Sequence, residues 1–408
     1  MDAQFGIRVV VSVVARSRSF GQAILGARAT DFSLAAAIEV AAASNAATRR
    51  RDVLALVPKS TRHIPSLDGL RAVSFLLVFV AHAGLERMVP GGFGVTVFFF
   101  LSGFLITTLL RSEFEKNGTI NLRHFWLRRV LRILPPFYLV LAGAVLLSCA
   151  MDPPGTLSAP GLAAQALQYT NYWVIVHQYD GQPPGTGVYW SLAVEEHFYL
   201  AFPWLFIAMQ RYRMSGRRQA LCLWTLCALV LLWRVILVGK YHAPTVRTYM
   251  GSDTRIDSIL FGCALAVWKN PVLDDVPLIE RRWKYGYLPA AVLVLVACLY
   301  IRGDEFRETL RYSLQGAALT AVFIAAIRFS RWPLFALLNT RLMEFIGLLS
   351  YSLYLLHLAV IYGVARMLPS VGLIAQGALS LTIAVALAWL IYVSVEKPCA
   401  RLRRKLID

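Results

Sequence analysis

Residues 66–82 read SLDGLRAVSFLLVFVAH, an apolar run with Arg71 near one end and His82 at the other. A charged or titratable side chain in a lipid-facing helix is costly, so each of the two calls for a compensating reason. On an α-helix eleven residues span about three turns, roughly 16 Å, and eleven steps of about 100° return to within about 20° of the starting direction. Arg71 and His82 are therefore predicted to share one face, one in each half of a bilayer. Asp68, one turn before Arg71, is placed to pair with it. The competing reading is a snorkelling arginine and an interfacial histidine.

Working outward, the same character fills most of the chain. Of 408 residues, 58% are hydrophobic and 16% charged, and the mean hydropathy is +0.58. Soluble domains average about 45–50% apolar and about 25% charged, so both figures point to lipid. Apolar runs of membrane-spanning length recur near 64–84, 92–110, 133–150, 190–210, 220–239, 256–268, 286–301, 313–330, 342–366 and 372–395. The expectation is an all-α polytopic membrane protein of about ten transmembrane helices, with 256–268 the shortest.

A net charge of +18 raises the question of nucleic acid, but its distribution answers otherwise. With residue 62 on the inner side, the inner connections and the C-terminal tail hold 22 Lys and Arg, against eight in the outer connections. The longest outer connection, 151–189, holds none. This is the positive-inside pattern, and it predicts both termini in the cytoplasm. No nucleic-acid partner is expected; the surrounding partner is the bilayer.

Residues 1–57 are rich in Ala, Ser and Arg and read as a poorly ordered extension. Residues 58–400 form the membrane domain and 401–408 a basic tail. Segment 151–189 has Pro/Gly-rich edges around LAAQALQYTNYWVIV. This middle is predicted to fold back against the membrane, with Tyr169, Tyr172 and Trp173 at the interface. The six cysteines show no metal-ligand spacing or disulfide framework, so no metal site is expected.

Candidate chemistry must then sit among the helices. FIGLLSYSLYLLH ends at His357, either a second functional histidine or one hydrogen-bonded between helices. WSLAVEEHFYL sets Ser191, Glu195 and Tyr199 at i, i+4 and i+8 on one face. With Trp190 taken as the outer surface, Glu195 is expected at the depth of His82, where a carboxylate could orient an imidazole acting as general base. Asp253, Arg255 and Asp257 in SDTRIDSILFGC fall at the mouth of the sixth helix, as a clamp on a polar acceptor or as an ion-pair network. In RHFWLRRVLRILPP, Arg128, Arg129 and Arg132 offer forks that suit phosphate, although basic flanks also follow from topology alone. FFFLSGFLIT supplies Ser102 and Gly103, small residues at which helices or a slender ligand can approach closely.

Taken in order, LDGLRAVSFLLVFVAH with its R-x10-H, FFFLSGFLIT, RRVLRILPPFY, WSLAVEEHFYL, TRIDSILFG, GLLSYSLYLLH and VEKP resemble acyltransferase family 3. These integral-membrane acyltransferases include O-acetyltransferases of bacterial surface polysaccharides. The resemblance covers about 62–400, and it departs at Thr96, where relatives often carry Asp or another polar group. Because the chain ends soon after the tenth run, an esterase-like domain fused to some relatives is expected to be absent.

The resemblance implies transfer of an acyl group, acetyl favoured, from cytoplasmic acyl-CoA to a hydroxyl of a carbohydrate or glycolipid acceptor. No tightly bound cofactor is implied, and the setting is a bacterial cytoplasmic membrane. Arg71 and His82 take the roles of the R-x10-H pair, and Glu195 that of the WSL glutamate. Arg71, Arg128, Arg129 and Arg132 then bind acyl-CoA; His82 is the general base, steered by Glu195. Ser191, Tyr199, Asp253, Arg255, Asp257 and His357 serve the acceptor or support the site. A pantetheine arm matches the Arg71–His82 span, so a passage between them is expected. The rival class is a transporter that uses the same buried charges as a solute or proton pathway.

Overall fold

The computed structural model describes residues 64 and 66–407, so the 1–57 extension lies outside the described residues. Each apolar run is helical, because a segment surrounded by lipid must satisfy its backbone polar groups internally. The ten helices are α1 Leu67–Val80, α2 Gly91–Asn117, α3 Leu122–Met151, α4 Tyr189–Arg211, α5 Gly216–Gly239, α6 Ser252–Val267, α7 Leu288–Tyr300, α8 Leu310–Arg328, α9 Arg341–Met367 and α10 Leu373–Ile391. Among the described residues there is no strand, and nine helices are long and apolar enough to cross a membrane.

The exception is α6, with 16 residues. It does not face lipid: all but Asp253, Ile256 and Phe261 are buried, among α2, α5 and α8. Small residues allow this. A Cβ at Gly262 would stand 2.0 Å from the Phe100 carbonyl oxygen, and one at Gly103 2.0 Å from that of Ile259. The α2 and α6 backbones therefore touch at two reciprocal glycines, and Gly103 serves helix packing.

Two further features shape the interior. First, α1 ends in a π turn, Ala81–Leu85, in which Ala83 (φ −75°, ψ 16°) and Gly84 (φ 100°, ψ 5°) leave helical geometry. Such turns are frequent at functional sites, and this one contains His82. Second, segment 151–189 folds back as two short helices, Ala159–Ala166 and Thr170–His177. Buried amides tie it down: Asn171 donates to the Met250 carbonyl (3.1 Å) and to Ser252 Oγ (3.0 Å), and Gln182 donates to Thr170 Oγ1 (2.8 Å). Gly185, at φ +83°, lies so close to α9 that a Cβ would stand 2.5 Å from Ala359 Cα. Under this cover Tyr189 and Trp190 are buried.

Candidate active site

The π turn presents His82 as an exposed imidazole. Its Nδ1 lies 3.0 Å from Nε2 of His357 on α9, and the two rings stack at 5.2 Å. His357 is fully buried, with the edge of Phe75 against it at 5.8 Å. One turn earlier on α9, Tyr354 OH meets Ser191 Oγ of α4 at 2.6 Å. His82, His357, Tyr354 and Ser191 form the histidine end of the site.

The arginine end gathers elsewhere, on α1, α2, α3 and α4. Arg71 Nη1 is 2.5 Å from Asp68 Oδ1, with Arg132 and Tyr199 within electrostatic reach. Arg128 pairs with Glu113 at 2.7 Å. Arg129 lies over the rings of Phe125 (5.8 Å) and Tyr199 (5.5 Å), and its buried Nε has no hydrogen-bond partner among the described residues. Arg132 is exposed. Glu195 belongs here: its Oε2 accepts from Tyr199 OH at 2.6 Å and from Ser102 Oγ at 3.3 Å, with Arg129 and Arg132 nearby. Ser102 Oγ and Tyr199 OH close the triangle at 2.6 Å.

Two expectations are corrected by this geometry. Glu195 was expected beside His82, yet the imidazole's partner is His357, and the carboxylate within its electrostatic reach is Glu86. The depth reckoning took Trp190 as a surface residue, but segment 151–189 covers it and leaves it 5% exposed. The α1 face between Arg71 and His82 is closed, because Ser74, Phe75 and Val78 are at most 1% exposed. Of the two readings of Asp253, Arg255 and Asp257, the geometry gives ion pairs at Asp253 and Asp257 rather than one shared clamp.

Asp253 stays at the mouth, where it accepts from Arg247 (2.5 Å), Trp233 Nε1 (2.7 Å) and Tyr172 OH (3.3 Å). Burial and then the Asp253 charge push the Tyr172 phenol up from its usual pKa, so it remains a donor. Asp257 is fully buried against Arg234 of α5 at 2.7 Å. Arg234 also donates to Ser313 Oγ (2.6 Å) and to the carbonyls of Thr309 (3.1 Å) and Thr254 (2.5 Å). Arg255 is equally buried but meets rings: Tyr312 at 3.9 Å and Tyr249 at 5.3 Å. Its closest acceptor is Thr96 Oγ1 at 3.1 Å, so the residue that departs from the family pattern partners this cation.

Arg234 and Tyr354 were missed from sequence. A lone arginine inside VLLWRVILVG and a tyrosine one turn before His357 were the available signals. Among the described residues, no group of three His, Cys, Asp or Glu side chains is placed to hold a metal ion.

The fold and this interior define a polytopic membrane protein with polar groups gathered among its helices. The chain belongs to the acyltransferase 3 family, whose acyltransferase domain matches residues 64–393. It is 31% identical over 314 residues to the peptidoglycan O-acetyltransferase OatA of Listeria monocytogenes, covering 74% of this chain and 50% of that protein. To the putative peptidoglycan O-acetyltransferase YrhL of Bacillus subtilis it is 33% identical, over 74% of this chain and 49% of that one. A putative O-acetyltransferase of Staphylococcus aureus is 29% identical, with 74% and 51% covered. The chain thus spans about half the length of the curated relatives it matches. No solved structure matches it.

Proposed function

We propose that this chain transfers an acetyl group from acetyl-CoA to a hydroxyl of a cell-surface polysaccharide, with peptidoglycan as the first acceptor to test. The observation that carries the reading is the separation of two chemistries in one bundle. An exposed imidazole, His82, stands at one end, and guanidinium groups suited to the donor's phosphates stand at the other. The names of the bacterial relatives supply the acetyl group and the polysaccharide. The same reading sets the chain in a bacterial cytoplasmic membrane, with the arginine end and both termini in the cytoplasm, as the positive-inside pattern predicts.

In this mechanism Arg71, Arg129 and Arg132 bind the phosphates of acetyl-CoA, and Arg128 flanks them. His82 Nε2 takes the proton of the acceptor hydroxyl as its oxygen attacks the thioester carbonyl. The C–O bond forms, the C–S bond breaks, and the leaving thiolate recovers the proton from His82. Because Phe75 and Val78 are packed between Arg71 and His82, this reading requires both side chains to move for the acetyl group to reach His82. Glu195, held by Tyr199 and Ser102, sets the charge balance at the donor end.

The test is transfer of labelled acetyl from acetyl-CoA to peptidoglycan fragments by the full chain in proteoliposomes. His82→Ala is expected to cut kcat by about 10²–10⁴-fold, the usual weight of a general base. Undiminished turnover in that variant, or no transfer by the wild-type chain with any acyl-CoA, refutes the reading.

A further inference from the structure

The hydrogen bonds around His357 determine more than its position. Its Nδ1 lies 2.9 Å from the Tyr354 carbonyl and 3.2 Å from that of Leu353. Carbonyl oxygens only accept, so this nitrogen carries a hydrogen. A neutral His357 then has a lone pair on Nε2, and the 3.0 Å contact with His82 requires His82 Nδ1–H as donor. The other assignment makes His357 a cation that donates to His82. That cation would be fully buried against the rings of Phe75, Phe79 and Tyr354, with no carboxylate bonded to it among the described residues, an arrangement that burial strongly disfavours.

We infer that His357 is a positioning residue: through its backbone-anchored ring it holds His82 as the Nδ1–H tautomer, leaving His82 Nε2 unprotonated on the accessible side. In a neutral imidazole the hydrogen bond made by one nitrogen decides which nitrogen is free. His357 thus does for His82 what a carboxylate does in other relays, without placing a charge in the membrane interior. The inference builds on His82 as the base of the proposed transfer, but the tautomer itself is a property of the unliganded chain.

The test uses the full chain in liposomes with ¹⁵N-labelled histidine, read by solid-state NMR, with the His82 signals assigned by their loss in His82→Gln. Wild type is expected to show His82 protonated on Nδ1. His357→Phe removes the acceptor, so the His82 signals move to the Nε2–H form or a mixture. With it kcat falls by about 10²-fold, while KM for acetyl-CoA stays within about twofold. His357→Gln places a carbonyl oxygen near the former Nε2, and is expected to restore the Nδ1–H signal and most of kcat. A wild-type His82 protonated on Nε2, or one whose tautomer is unchanged in His357→Phe, overturns the inference. The NMR readout needs no substrate. A chain inactive with any acyl-CoA that still shows the Nδ1–H tautomer therefore ends the proposed function and leaves this inference standing.

Discussion

The histidine end and the arginine end of the interior are built differently. At the histidine end the side-chain pairs are short: His82 with His357 at 3.0 Å, Tyr354 with Ser191 at 2.6 Å. At the arginine end Arg71 and Arg128 are ion-paired, but two of the four cations are loosely committed. Arg129 rests on two rings, Arg132 is exposed, and Glu195 spends its hydrogen bonds on hydroxyls. Tight single contacts fix the direction of a proton transfer, whereas loosely held cations keep donors for an anionic ligand. α4 joins the ends, since Ser191 reaches the histidine helix while Glu195 and Tyr199 face Ser102 and the arginines.

The largest effect that would break this contrast lies in the KM against kcat split. Arg129→Ala combined with Arg132→Ala removes two phosphate ligands at about 1.5–3 kcal/mol each. KM for acetyl-CoA should rise by about 100-fold or more, with kcat within about threefold. A fall in kcat alone would assign those arginines to the chemistry.

A smaller effect sharpens the contrast. A double-mutant cycle on transfer rate between His82 and His357 should show a coupling above about 1 kcal/mol, whereas His82 with Glu195 should be additive within about 0.5 kcal/mol. Strong coupling of His82 to Glu195 would return the carboxylate to the role that the sequence first suggested. The smallest effect belongs to Tyr354→Phe, which deletes one hydrogen bond worth about 1 kcal/mol. Its thermal midpoint should drop by about 1 °C, given an unfolding entropy of about 2.1 cal/mol/K per residue over a chain of this length.

Much of the site was legible residue by residue and little of it pair by pair. Asp68 with Arg71 is a local i, i+3 contact, and the sequence shows it. His82 with His357 is separated by 275 positions, and no spacing rule connects them. Glu195 was assigned to the wrong neighbour because a tryptophan at a helix start reads as interfacial, and only the fold-back of 151–189 buries it. Asp257 looked like part of a surface cluster until α5 supplied Arg234.

The sequence by itself determined the helical membrane architecture and the approximate place of ten helices. Those follow from the lipid, which constrains every segment independently of the others. The tertiary structure decided which polar groups meet, why the shortest helix is the most enclosed, and that the face between Arg71 and His82 is packed. These depend on how helices rotate and dock, a choice made by small residues such as Gly103 and Gly262, whose meaning exists only once a second backbone lies against them.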